Sequence, residues 1–182
     1  MIIQVLLISF CFCLDIVISN FLPHSFFPTD IVVTSCLGLS ALVLMQRKMD
    51  RIDSLLISII FGLIYDYFIA HTFLVCTIAF AIINLLVSQW QKNITESLFE
   101  NCLLAFVTIF VKEFLVYFMM TLLSETAMTF DIWILSRASL TLLINTVFVI
   151  VIVFISRIVE DMILMREKRI RKEEKISWWK IS

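Results

Sequence analysis

Residues 55–90 read LLISIIFGLIYDYFIAHTFLVCTIAFAIINLLVSQW, from Leu55 to Trp90. As one straight helix these residues would extend about 54 Å, against a hydrocarbon core of roughly 30 Å. The stretch therefore has to double back inside the membrane, and the bend is predicted at Ala70-His71-Thr72, where polarity rises. Working outward, Ile2 to Phe21 forms one apolar run and Ile31 to Met45 a second, closed by Gln46, Arg47 and Lys48. Thr29 or Asp30 is placed to cap the second helix. Leu98 to Leu123 and Ile132 to Ser156 complete the series, parted by an acidic loop around Glu125 and Asp131. The reading is an all-α integral membrane protein of six transmembrane helices in a compact bundle. Its spans run approximately over 2–21, 31–45, 55–70, 72–90, 98–123 and 132–156.

Composition supports this reading. The 182 residues are 62% hydrophobic and 16% charged, with only two Gly and two Pro, whereas a soluble domain is about 45–50% apolar. Six spans of about 20 residues each use most of the chain and leave no room for a separate catalytic domain. The formal net charge of -1 gives no electrostatic footprint for nucleic acid. The five cysteines form no CxxC pair, and their odd number does not suit a closed disulfide framework. They are predicted to be reduced packing residues, with no metal site.

Loop charge orients the bundle. With six spans, Arg47, Lys48, Arg51, Lys92, Arg157 and the seven basic residues from Arg166 to Lys180 all fall on one side, and the other side receives none. Lys and Arg in short loops stay cytoplasmic, so both termini are predicted to be cytoplasmic. Residues 157–182 form a tail with eight basic and five acidic residues. This tail is expected to prolong the sixth helix. It reads either as a solvated mixed-charge stub or as a contact for anionic lipid or a cytoplasmic partner, with Trp178 and Trp179 as interfacial anchors.

Five ionisable residues remain inside the spans: Asp15, Asp66, Lys112, Glu113 and Arg137. At a helix centre such a residue costs about 2.5–3.5 kcal/mol on the insertion scale, so each is expected to find a partner inside the bundle. Neighbours in sequence point about 100° apart on a helix. Lys112 and Glu113 should therefore reach to other helices, and Arg137 or Lys112 is expected to pair with Asp66 or Asp15. The competing reading is that these charges only fix helix register or snorkel to water. Polar and small residues also recur at helical spacing, as Ser58, Gly62 and Asp66, as Thr77, Ala81, Asn84 and Ser88, and as Arg137, Thr141 and Asn145. They predict close helix packing around a partly polar interior.

Pro28-Thr29-Asp30 before the second span and Phe61-Gly62-Leu63-Ile64-Tyr65-Asp66 in the third resemble motifs of the rod shape-determining MreD family, which has a P-D-l approach and a G-l-l-x-D motif at comparable places. The resemblance extends over nearly the whole chain in length and span layout. It differs after the motif Asp, where the family often has glycines and this chain has Ala70 and Leu74. The resemblance implies a non-enzymatic membrane component of the bacterial cell-elongation machinery, working beside a single-span MreC-like protein and other elongation-machinery membrane proteins to regulate cell shape and peptidoglycan synthesis. It also implies an architecture similar to the substrate-binding subunits of energy-coupling-factor vitamin transporters. Pro28, Asp30, Gly62 and Asp66 would be its motif residues, serving partner binding or structure, and no cofactor is implied.

The principal rival is a substrate-binding subunit of a vitamin uptake transporter, with a small molecule held between the first, third and sixth spans. The A-x-x-x-A docking motif typical of that class is missing from Leu7-Ile8-Ser9-Phe10-Cys11-Phe12-Cys13. An intramembrane enzyme ranks lower, because the sequence has no G-x-S-x-G, H-E-x-x-H or Gly-rich phosphate loop.

Overall fold

The computed structural model describes residues 2–21, 33–90, 97–126 and 128–179, and these contain helices and no strand. The elements are α1 (Ile2–Ser19), α2 (Leu37–Met45), α3 (Arg51–Tyr65), α4 (Val75–Trp90), α5 (Leu98–Leu122), the short α6 (Phe130–Trp133) and α7 (Ser139–Trp179). A π-helical turn, Asp66–Ala70, extends α3, and another, Ile134–Ala138, joins α6 to α7. Four stretches are long and apolar enough to cross a membrane: Ile2–Ser19, Arg51–Ala70, Leu98–Leu122 and Phe130–Arg166. The remaining two, α2 and α4, have only 9 and 16 residues, and are too short to cross about 30 Å as straight helices.

The expected second span, 31–45, needs correction. Its helix occupies only Leu37–Met45, and the preceding residues from Val33 to Cys36 are not helical. Thr29 and Asp30, expected as caps, lie outside the described residues. Every residue of α2 is buried. The element is an apolar plug surrounded by α1, α4, α5 and α7, which explains why its sequence has no polar face to mark a helical period.

The Leu55–Trp90 stretch is a hairpin. Its two arms, α3 and α4, make the most extensive helix contact in the molecule. The connection runs from His71 to Leu74, and both of those residues have positive φ, 50° and 62°. A left-handed conformation costs a non-Gly residue roughly 1–2 kcal/mol. The turn thus adopts the backbone that glycine suits best, with no glycine in it. Close approach of the arms depends on Gly62, where an added Cβ would lie 2.7 Å from the Thr77 Cα. Gly38 does the same for α1 and α2, since a Cβ there would lie 2.6 Å from the Phe12 ring. The chain's two glycines therefore stand one in each close helix pair.

Phe12 also organises the core. It stacks on Phe61 with centroids 4.5 Å apart and meets Tyr65 and Phe80 at 6.5 and 6.1 Å, joining α1, α3 and α4. A second aromatic cluster packs Trp133 of α6 on Tyr117 of α5 at 4.9 Å, and Phe130 lies 5.6 Å from Trp133. Around the outside, Leu6, Phe10, Leu56, Ile60, Leu143 and Val147 are each more than half exposed. In water so much apolar surface would be a liability, while in lipid it is the expected exterior. At the end that carries Arg51, Asn84 donates to Gln46 Oε1 at 2.7 Å and to Ser54 Oγ, and Arg47 donates to Asn101 at 2.7 Å. Cys11, Cys36 and Cys76 are buried as expected, whereas Cys13 is exposed on the lipid-facing side of α1.

Candidate functional site

The five intramembrane charges gather with the Thr34–Cys36 segment, in which Ser35 and Cys36 are buried and Thr34 is half-buried, toward the end of the bundle that carries His71. Backbone that is not helical cannot face lipid, and survives at that depth only when protein groups satisfy it. Side chains from three helices do so here. Asn145 of α7 accepts from the Cys36 N–H at 2.9 Å and donates to the Thr34 carbonyl at 2.8 Å. Tyr65, the last residue of α3, donates to the Ser35 carbonyl at 3.3 Å. Asp15 of α1 accepts from the Ser35 hydroxyl, from Leu37 N–H at 3.0 Å and from Gly38 N–H at 2.6 Å. The cap of α2 is therefore supplied by a carboxylate on another helix, where a local Ser, Thr or Asp would ordinarily stand.

Asp66 repeats the device in the second hairpin. One oxygen accepts from Thr72 Oγ1 at 2.6 Å and from Cys76 N–H at 2.9 Å. The other accepts from Thr77 N–H at 2.8 Å and Thr77 Oγ1 at 2.7 Å. The four-residue spacing of Gly62 and Asp66 now has a cause. Both lie on the face of α3 that meets Thr77, and only a residue without Cβ lets the Thr77 backbone come close enough for Asp66 to reach it.

Glu113 is the third anchor. Lys112 Nζ lies 2.6 Å from its Oε1 and Arg137 Nε 3.0 Å from its Oε2, while Thr34 donates to Oε1 at 2.7 Å. Lys112 also approaches Tyr65 OH at 3.3 Å and Thr34 Oγ1 at 3.4 Å. Both Lys112 and Glu113 are 1% exposed. This corrects the expected pairing of Arg137 or Lys112 with Asp66 or Asp15, because the oxygens of those aspartates are taken by helix N-terminal N–H groups. Lys112 and Glu113 do reach partners on other elements, Tyr65 and Arg137 among them, but they also meet one another, which the helical angle did not predict. Both side chains are long enough to fold toward Thr34, where their charged ends meet. The five formal charges sum to -1 (two basic, three acidic), and two helix N-termini each contribute roughly half a positive charge. The layer is thereby brought close to neutral.

Of the residues singled out from the sequence, Gly62 and Asp66 act together on α4, Asp15 acts on α2, and Lys112, Glu113 and Arg137 form one ion cluster. Pro28 and Asp30 lie outside the described residues. Gly38, Thr34, Ser35 and Tyr65 were missed. Gly38 could have been found as one of only two glycines in the chain, and Asn145 already stood on a recognised polar stripe. A cavity of about 60 Å³ opens beside the cluster, lined among others by Thr34, Tyr65, His71, Lys112 and Arg137. It is large enough to admit water.

A family model described as rod shape-determining protein MreD matches residues 1–162 of the chain. No curated protein and no solved structure matches it. The match takes in α1 to α6 and α7 as far as Met162.

Proposed function

The chain belongs to the MreD family of rod shape-determining proteins, a membrane protein concerned with cell shape, and from that premise we propose that it is a non-enzymatic scaffold of the bacterial cell-elongation machinery. In this reading it binds a single-span MreC-like protein and other elongation-machinery membrane proteins, and helps regulate peptidoglycan synthesis through them. In this reading residues 1–156 form a membrane domain that the chain crosses six times, with α2 and α4 making shorter crossings than the four long helices, residues 157–182 form the tail, and both termini are cytoplasmic in the plasma membrane. The observation that carries the proposal is the extent of the family match, which includes the Gly62–Asp66 motif and all of the polar layer. The chemistry of that layer supports it. Asp15, Asp66 and Glu113 each accept from several donors, an arrangement that fixes helices in place and does not present a free base to a substrate.

The vitamin-uptake reading requires an interior pocket. Ligand pockets occupy about 300–1,000 Å³; the cavity beside Lys112 holds about 60 Å³, and a larger apolar cleft of about 260 Å³ lies between α4 and α5, away from the first, third and sixth spans. The test is crosslinking in native membranes followed by purification through this chain, with and without the residues after Arg157. Recovery of a single-span protein with a large extracytoplasmic part is the expected result. Recovery of an ATPase module, or a rise in melting temperature on adding a vitamin, would overturn the scaffold reading.

A further inference from the structure

The last helix outruns the membrane. α7 is continuous from Ser139 to Trp179, so the residues after Ser156 carry it roughly 34 Å further at 1.5 Å per residue. Its exposed apolar side chains are arranged along a line. Val151, Ile155, Ile158, Met162 and Met165 are 47%, 38%, 59%, 45% and 63% exposed, and they follow one another at intervals of four, three, four and three residues. This is the alternating four- and three-residue spacing of a two-stranded coiled-coil seam, in whose register Ile155 and Met162 take a and Ile158 and Met165 take d. Within lipid an exposed apolar residue calls for no explanation. Ile158, Met162 and Met165 follow Arg157, where the helix is leaving lipid. Of the four large apolar side chains exposed beyond Arg157 among the described residues, only Leu164 falls off the line.

A different face of α7 packs on its own bundle. Val149, Ile152, Val153, Ser156 and Val159 are buried, and at about 100° per residue that face lies roughly 120° around the helix from the seam. A second helix can occupy the seam without displacing the first.

Charge selects the occupant. In this register Asp161 stands at g and Arg166 at e, and both are exposed. In a parallel, in-register pair, g of one helix faces the following e of the other. Two copies of the chain therefore bring Asp161 against Arg166 twice, once on each side of the two-fold axis. The membrane imposes the parallel arrangement, because two copies inserted with the same topology cannot be antiparallel. We infer that α7 pairs with α7 of a second copy of this chain along the Val151–Met165 seam, forming a homodimer closed where the last helix leaves the membrane. The matched family segment ends at residue 162, so Met165 and Arg166 lie beyond it.

Cysteine placed at Met162, Met165 or Leu164, in the full chain in isolated membranes under mild oxidation, tests the inference. M162C and M165C should give a reductant-sensitive dimer several-fold more abundant than L164C, which is exposed but off the seam. In the M165C background, D161R or R166D alone should lower the dimer fraction by roughly two- to tenfold, as two exposed pairs turned into like-charge contacts would, and the double reversal should restore it. Membrane accumulation of each variant is measured alongside, so that loss of protein is not read as loss of contact. Equal crosslinking at Leu164, no dimer from normally accumulating M162C and M165C, or failure of the double reversal to restore it would overturn the inference.

Discussion

Asp66 holds the start of α4 through two backbone N–H groups and two threonine hydroxyls. Replacing it by Asn keeps the shape but puts an NH2 where an acceptor is needed, opposite either Thr77 or Thr72 and Cys76. D66N should therefore destabilise the protein by about 1–3 kcal/mol, the usual cost of leaving buried polar groups unsatisfied. Thermal unfolding in detergent checks this, and an unchanged midpoint would count against the capping role. Gly62→Ala should cost a similar ~1–3 kcal/mol by overpacking, because its Cβ would press on Thr77 backbone, which cannot swing away as a side chain can. At Leu74 the sign differs. Its φ of 62° favours glycine, so Leu74→Gly should be neutral or stabilising by up to ~1 kcal/mol once the flexibility of unfolded glycine is counted, and Leu74→Val should be destabilising in the same melts. The importance of Gly62 and Asp66 was legible in the sequence from their spacing. Their shared target was not, since Thr77 lies beyond a turn whose geometry no local pattern fixes.

Among the elements, α2 was the hardest to read. Val33, Cys36 and the run from Leu37 to Met45 form a nearly unbroken apolar series, and such a series does not distinguish a spanning helix from a buried half-helix preceded by extended chain. What makes the short form possible is remote in sequence: Asp15 on α1, Tyr65 on α3 and Asn145 on α7. The Glu113 cluster, which joins α5 and the turn before α7 to the same segment, was legible as a set of charges needing partners. Its pairings were not, because helical angle alone ignores the reach of long side chains. Glu113→Gln should destabilise the bundle severely, by about 3–5 kcal/mol, since it leaves the buried Lys112 charge uncompensated. The double substitution Lys112→Met with Glu113→Gln should recover part of that loss. Arg137 has a side chain 17% exposed, so it can turn toward water more readily than Lys112. Urea or thermal denaturation of both variants checks the order, and a double variant no more stable than E113Q would contradict it.

For the whole molecule, the apolar exterior and the hairpin at residues 55–90 follow from hydropathy, a property that depends on the solvent and not on particular contacts, and loop charge supports the proposed orientation. Membership in a shape-determining family then gives the bundle its cellular setting, while the polar layer explains how two short helices are held in place within it. In the proposed topology the chain reverses at His71–Leu74, so that this turn is extracytoplasmic while the loop before α3 and the end of α7 are cytoplasmic. Phe73, in the turn, is 88% exposed, Ile52 at the opposite end of α3 is 74% exposed, and Lys168 is exposed on the extension of α7. Cysteine is introduced at each in turn, and intact cells are treated with a membrane-impermeant maleimide, read against the unsubstituted chain. Labelling is expected at Phe73→Cys in intact cells, and at Ile52→Cys and Lys168→Cys only after the membrane is opened. Labelling of Lys168→Cys in intact cells, or protection of Phe73→Cys until permeabilisation, would contradict that topology.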